Sequence, residues 1–358
     1  MRPILLIFLT LSFQANADFY RIEILADGLS HPWSIDFLPD GDYLVAMKSG
    51  EVRRISESGK VEEIIDGGPE PYFDSQGGYF DILLDPGFVD NAIVYLCYAA
   101  GSAKANATTV MKAKLLNNSF QETEIIYTVA PAKDTPDHYG GKMHFLADNT
   151  LLITTGDGFE YRESAQDTYN HLGKTIRINS DGTAAVDNPF INGGGDPRVY
   201  SYGHRNPQGL DVAPDGTIYL HEHGPKGGDE INKIEPGANY GWPAVTYGDN
   251  YSGAYVSPLK KYPGTRQPEF YWTPSIAPSG FVIYSGDMFP EWQGNFLVGA
   301  LVSKEVRRLV IEEGRVTEAQ ALFSELAEPV RDIREAPNGE LYILTDGEGG
   351  KLIRVTRK

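Results

Sequence analysis

Cysteine is nearly missing from this 358-residue chain: Cys97 stands alone, so no internal disulfide can form. Within I-V-Y-L-C-Y it reads as a buried strand residue, and no neighbour that would activate a thiolate is evident. Long apolar runs are also missing after the N-terminus, which excludes a later membrane-spanning helix. The exception is Ile4 to Phe13, too short to span a bilayer; with Arg2 before it and Ala15-Asn16-Ala17 after it, residues 1–17 read as a signal peptide. Export to the periplasm or medium is the expectation, with residues 18–358 as the mature catalytic domain. Positive charge is scarce too, with 31 Lys and Arg against 49 Asp and Glu and a net charge of -18. No nucleic-acid partner is expected, because its phosphates would be repelled, whereas bound calcium stays compatible. Helical periodicity is nearly absent; Thr317 to Leu326 could form a short helix or a sheet edge.

What the chain has in quantity is one repeated unit: a turn built on Pro-Asp-Gly or a degenerate form of it, an aliphatic and aromatic strand, a loop, and a second strand rich in Arg, Ile and Val. Copies begin at Phe37, Leu84, Phe145, Val212, Phe289 and Glu335. Asp-Gly and Asn-Gly tolerate positive φ and favour tight hairpins, so each copy reads as two antiparallel strands of a small sheet. Such a sheet cannot bury both faces alone, and stacking like sheets around an axis solves this. The expectation is an all-β, six-bladed β-propeller. More than sixty residues separate the central copies, so long loops are inserted there, where binding chemistry tends to sit.

Four segments could carry that chemistry. In D-H-Y-G-G-K-M-H-F, His138 precedes two glycines and is a candidate general base, with Asp157 of T-T-G-D as its carboxylate partner; a capped turn with a surface histidine is the alternative, and His144 behind it reads as structural. In Y-G-H-R-N-P-Q-G, Arg205 and Asn206 are held before Pro207 and could meet a carboxylate or quinone oxygen, or simply bridge to a neighbouring blade. In H-E-H-G-P-K-G-G-D-E, Gly224 and Pro225 can turn carbonyl oxygens towards calcium with Asp229 and Glu230 nearby, or the segment is a glycine-rich hairpin with solvated acids. Zinc at His221 and His223 lacks a third soft ligand. Gln76 on a glycine-flanked bend, with Trp272, Tyr240 and Trp242 as aromatics, could line a ring mouth or pack in the core.

Taken in order, F-D-S-Q-G-G, H-Y-G-G-K, T-T-G-D, H-L-G-K-T-I-R-I, D-N-P-F, Y-G-H-R-N-P-Q-G-L, E-H-G-P-K-G-G-D-E-I-N, G-A-N-Y-G-W-P and V-R-D-I resemble the soluble aldose sugar dehydrogenases, the PQQ-dependent glucose/sorbosone dehydrogenase family. The likeness runs from about Leu29 to Val355 and implies a six-bladed propeller oxidising the anomeric carbon of aldoses to lactones. It implies His138 as the base, oriented by Asp157; Gln76, His138, Arg205, Asn206 and Arg331 in contact with PQQ or substrate; and Trp272 lining the mouth of the cofactor site. It further implies calcium on the Gly224 and Pro225 carbonyls, a second calcium near Glu230 and Tyr240, and a small quinone or carrier protein as electron acceptor. Two positions depart from the family pattern: Val302 where a lysine usually pairs with a PQQ carboxylate, and Pro329 where an arginine is common. Lys304, Lys142 or Arg334 would then have to reach in. Val302 and Pro329 are also the sole support for an alternative, a redox-inactive exported propeller serving as a binding or scaffold module. A calcium-dependent lactone hydrolase would need acidic ligands converging on the axis, which the sequence does not offer.

Overall fold

The computed structural model describes residues 19–358, so the leader read in residues 1–17 lies outside the described residues. Six four-stranded antiparallel sheets are arranged as a β-propeller. Blade one is Pro32–Phe37, Tyr43–Met47, Glu51–Ile55 and Val61–Ile64, written from the axis outwards. Blades two to five follow in chain order, starting from the innermost strands Tyr79–Leu84, Gly140–Phe145, Pro207–Val212 and Pro278–Ile283. Blade six takes Val330–Glu335, Leu341–Thr345 and Gly350–Arg357 from the C-terminus, and its outer strand, Tyr20–Leu29, from the start of the described chain. That pairing, from Tyr20 opposite Arg357 to Leu29 opposite Gly350, closes the ring.

The repeated hairpins are the two middle strands of each blade. The second strands are buried along their whole length in blades one, three, five and six, because both faces pack on neighbouring blades, and so they read as unbroken apolar runs. One hydrophobic cluster fills each of the six gaps between adjacent blades. Thr317 to Leu326 is mostly sheet edge: Arg315–Leu322 is the outer strand of blade five, with a single 3-10 turn at Ser324–Leu326.

Every innermost strand carries a register irregularity near its start, between Pro32 and Ser34, Tyr79 and Asp81, Gly140 and Met143, Pro207 and Gly209, Pro278 and Phe281, and Val330 and Asp332. A bulge re-aims the extra side chain, and here the second residues of the six strands (Trp33, Phe80, Gly141, Gln208, Ser279, Arg331) converge on one small void at the axis. Side chains further along these strands lock neighbouring blades together. Asp36 accepts the Leu84 N–H at 2.7 Å, Asp81 that of Met143 at 2.9 Å, and Asp211 that of Ile283 at 2.6 Å. Below the void an ion cluster fills the axis, with Lys142 Nζ 3.3 Å from both Asp81 and Asp332 and Arg334 Nη2 2.8 Å from Asp81. It separates a hollow of about 790 Å³ on one face from one of about 910 Å³ on the other, where His144 pairs with Asp211 at 3.1 Å. Among the described residues, no helix is long and apolar enough to cross a membrane.

Candidate active site

The 790 Å³ hollow collects residues that lie far apart in sequence. Gln76, His138, Arg205, Asn206, Gly224, Pro225 and Arg331 all line it. His138 sits in the left-handed region, φ 53°, which is unusual for a residue with a side chain and marks a position the surroundings impose. Its N–H donates to Gln76 Oε1 at 2.9 Å, and the Asn206 side chain accepts the Gly140 N–H at 3.1 Å, so both amides pin the H-Y-G-G turn. Gly156 is obligatory behind it, since a Cβ there would stand 2.1 Å from the His138 carbonyl oxygen.

The hairpin does return Asp157 to the histidine: Nδ1 of His138 is 2.7 Å from Asp157 Oδ1, with both side chains buried. The carboxylate accepts from Nδ1–H, which leaves Nε2 as the ring's free acceptor. Burial lowers the His138 pKa below its ordinary value, and the hydrogen bond and charge of Asp157 partly oppose this. The ring is neutral at pH 7 and able to take a proton.

On the opposite wall, Nη1 of Arg205 donates to the carbonyls of His223 at 3.2 Å and Gly224 at 2.9 Å, so these oxygens already face a cation. Gly224 admits no side chain: a Cβ would fall 2.2 Å from the Gly227 oxygen. Arg331 lies 3.8 Å over the Trp33 ring and bonds Asp346 at 3.0 Å. Lys226, from the same Gly-Pro-Lys turn, also lines the hollow, as do Asp249 and Tyr251 of the long loop.

Some expectations need correction. Trp272 does not reach the mouth: it belongs to the outer strand Phe270–Trp272 of blade four, packs in the core between blades four and five, and gives its indole N–H to Glu318 at 2.5 Å. Asp229 is no metal ligand, since its oxygens accept from the N–H groups of Gly224, Ile276 and Ala277 and the Ser275 hydroxyl, tying two loops together. Lys142 and Arg334 cannot reach in, being held in the axial ion cluster, and Lys304 does not line the hollow. Val302 does line it and is 68% exposed. His221 and His223 part company, the first bonding the Ser279 carbonyl at 2.7 Å and the second Gln208 at 3.0 Å.

A small second pocket adjoins the first, walled by Glu222, Glu230, Tyr240, Trp242 and Gly224. Glu222 and Glu230 are directly opposed across paired strands. Enclosure raises the Glu230 pKa well above its usual range, and the Glu222 charge adds to this. Asn232 Nδ2 reaches Glu222 at 3.0 Å, while its buried Oδ1 has no hydrogen-bond partner. The Tyr240 hydroxyl is spent on the Lys233 carbonyl at 2.6 Å and the Glu235 N–H at 2.8 Å, so any ligand atom from this residue would have to be its backbone carbonyl oxygen. Glu222 is already occupied by His204 Nδ1 at 2.9 Å, Asn232 Nδ2 at 3.0 Å and the Arg205 N–H at 2.5 Å, so the hard oxygens left for a divalent cation are the Glu230 carboxylate and the orphaned Asn232 amide oxygen. No group of three His, Cys, Asp or Glu side chains among the described residues forms a metal cluster, so any cation here depends on backbone carbonyls as well.

The glucose/sorbosone dehydrogenase family model matches residues 29–354. Aldose sugar dehydrogenase YliI of Escherichia coli (strain K12) is 36% identical over 344 residues, spanning 94% of this chain and 92% of that protein. Quinoprotein glucose dehydrogenase B of Acinetobacter calcoaceticus is 26% identical over 420 residues, spanning 94% and 87%. The solved apo-form structure of the soluble aldose sugar dehydrogenase from Escherichia coli superposes with a TM-score of 0.91 at 35% identity, covering 95% of this chain and all of that one.

Proposed function

This chain belongs to the glucose/sorbosone dehydrogenase family, and from that premise we propose that it oxidises the anomeric carbon of aldoses to lactones with PQQ and calcium. The observation that carries the reading is the His138 and Asp157 pair facing Arg205, Arg331 and the Gly224 turn across one hollow. His138 Nε2 takes the proton of the anomeric hydroxyl, and Asp157 holds the ring and stabilises the imidazolium that forms. PQQ, when bound, supplies an electrophilic quinone carbon that accepts hydride. Its three carboxylates call for cations, and the residues on the wall that would meet them are Arg205, Arg331 and Lys226. Calcium would rest on the carbonyls of Gly224 and Pro225 as a Lewis acid, and a second on Glu230 and the Tyr240 carbonyl as a structural ion. Gln76 and Asn206 fix the backbone on which the base stands. Residues 1–17 form the leader of a periplasmic or secreted enzyme whose electrons pass to a small quinone or carrier protein.

The test is reconstitution. Titrating the purified cofactor-free protein with PQQ and calcium should change the absorbance and switch on aldose-dependent dye reduction; the absence of both responses would overturn the reading. Two further results are expected. The acid limb of the pH profile of kcat/KM should lie below pH 6.5, the ordinary imidazole value, because burial lowers the His138 pKa and the base is lost only when pH falls through it. Asp157→Asn, which removes the one strong influence raising that pKa, should move the limb further to acid. Val302→Lys should tighten PQQ about tenfold, the gain of one partly exposed charge-assisted hydrogen bond, read as the midpoint of the absorbance titration.

A further inference from the structure

Asp157 has more partners than a histidine anchor needs. Its Oδ1 accepts from His138 Nδ1 at 2.7 Å and from the Phe159 N–H at 2.8 Å. Its Oδ2 accepts from the indole Nε1–H of Trp242, again at 2.7 Å, on a loop 85 residues further along the chain. Its own N–H donates to the Arg205 carbonyl at 2.7 Å. The carboxylate is fully buried, so no solvent stands in for a lost donor.

Trp242 is itself held firmly. Its N–H donates to the Gly203 carbonyl at 2.9 Å, its carbonyl accepts from Gln166 Nε2 at 2.7 Å, and its ring faces the Arg205 guanidinium at 5.4 Å. The same side chain walls the acidic pocket of Glu222 and Glu230.

We propose that Trp242 is a positioning residue for the base: by fixing Oδ2 it sets the rotation of the Asp157 carboxylate, and through Oδ1 the orientation and tautomer of the His138 ring. A carboxylate held at one oxygen can swing about its Cβ–Cγ bond; one held at both cannot. Trp242 does not line the hollow, and its indole N–H reaches Asp157, so the influence of that donor on the base passes through Asp157, separately from the ring's contact with Arg205. This inference rests on His138 being the base.

The experiment is a double-mutant cycle on the reconstituted enzyme with Trp242→Phe and Asp157→Ala. Phenylalanine keeps an aromatic ring beside Arg205 but removes the donor together with part of the buried indole's volume, which is why the comparison is made against the same change in the Asp157→Ala background. Trp242→Phe should lower kcat about tenfold to a hundredfold, the usual scale for a partner that orients a working side chain, with the KM for sugar and the PQQ titration midpoint unchanged. In the Asp157→Ala background the same change should cost no more than about twofold, because the two act as one unit. Ring ¹⁵N resonances of His138 in the cofactor-free protein should show the Nδ1–H tautomer in the wild type and a tautomer mixture in Trp242→Phe. If that variant does not fold, the Trp242 indole N–H resonance in Asp157→Ala gives a second reading and should move from its wild-type position. Equal losses of kcat in both backgrounds, or an indole resonance that ignores Asp157, would overturn the proposal. A His138→Ala enzyme that turns over normally would instead remove the base on which it rests.

Discussion

Replacing His138 with alanine is expected to cut kcat by about a hundredfold to ten-thousandfold, the range for losing a positioned general base, while the PQQ titration remains close to wild type. The separation of the two effects follows from how the residue is held. The imidazole meets Asp157 through Nδ1, but the contact with Gln76 is made by the backbone N–H. Removing the ring leaves that turn tied, and Arg205, Arg331 and the Gly224 carbonyl are untouched on the far wall. Because the backbone at position 138 is left-handed, His138→Asn is a useful companion, since asparagine tolerates that conformation better than alanine. Steady-state kinetics beside an absorbance titration distinguish the outcomes. A loss of both PQQ response and turnover would point to collapse of the turn, and unchanged turnover would remove His138 from the chemistry.

Glu230→Gln is expected to reverse sign with calcium. In the metal-free protein the Glu230 pKa is raised well above the ordinary 4.5, by enclosure first and by the opposed Glu222 second. An acid whose folded pKa exceeds its unfolded value holds its proton more tightly in the fold. Its ionisation therefore costs stability progressively as pH climbs past 4.5 towards the folded value. Glutamine carries no such charge, so metal-free Glu230→Gln should melt higher than wild type at pH 8, with the gap closing towards pH 4. Calcium should invert the order. At about a hundred times its Kd an ion held by Glu230 stabilises the native state by about 2.7 kcal/mol, and glutamine loses that share of the calcium shift while any ion on the Gly224 and Pro225 carbonyls acts equally in both proteins. Asp36, Asp229 and Glu335 also have raised pKa values through burial, so the comparison is between the two proteins at each pH rather than along one curve. Melting scans with and without a chelator decide it, and a calcium shift equal in both proteins would exclude Glu230 as a ligand.

The middle strands were most legible in blades one, four and six, where Asp40-Gly41, Asp215-Gly216 and Asn338-Gly339 open an apolar run, and the degenerate turns of blades two, three and five fell into line with them. The innermost strands were not legible, and the bulges explain why. Each shifts register near its start, so Trp33, Gln208 and Arg331 break the period of two that marks a strand. Lining up those six strands would have revealed Trp33 and Gln208 as axis-facing partners of Arg331. The strand that closes the ring, Tyr20–Leu29, lacks the repeat's turn and pairs with the far end of the chain, a relation no local pattern carries. Trp272 misled for a simpler reason. An aromatic side chain fits a ring mouth and a core equally well, and the family likeness pointed to the mouth, yet its neighbour Tyr271 stacks on Tyr247 at 4.0 Å on the outside while Trp272 turns inward between blades. The His138 and Asp157 pair was easier, because one hairpin connects them and the strand lengths bring the carboxylate home.

The ion cluster of Lys142, Asp81, Asp332 and Arg334 has a kinetic consequence for the function proposed above. It stands on the axis between the two hollows, so the hollow of His138 does not run through to the opposite face. An acceptor collecting electrons in that hollow would enter from the face the sugar uses, and parallel lines in double-reciprocal plots are the expected result.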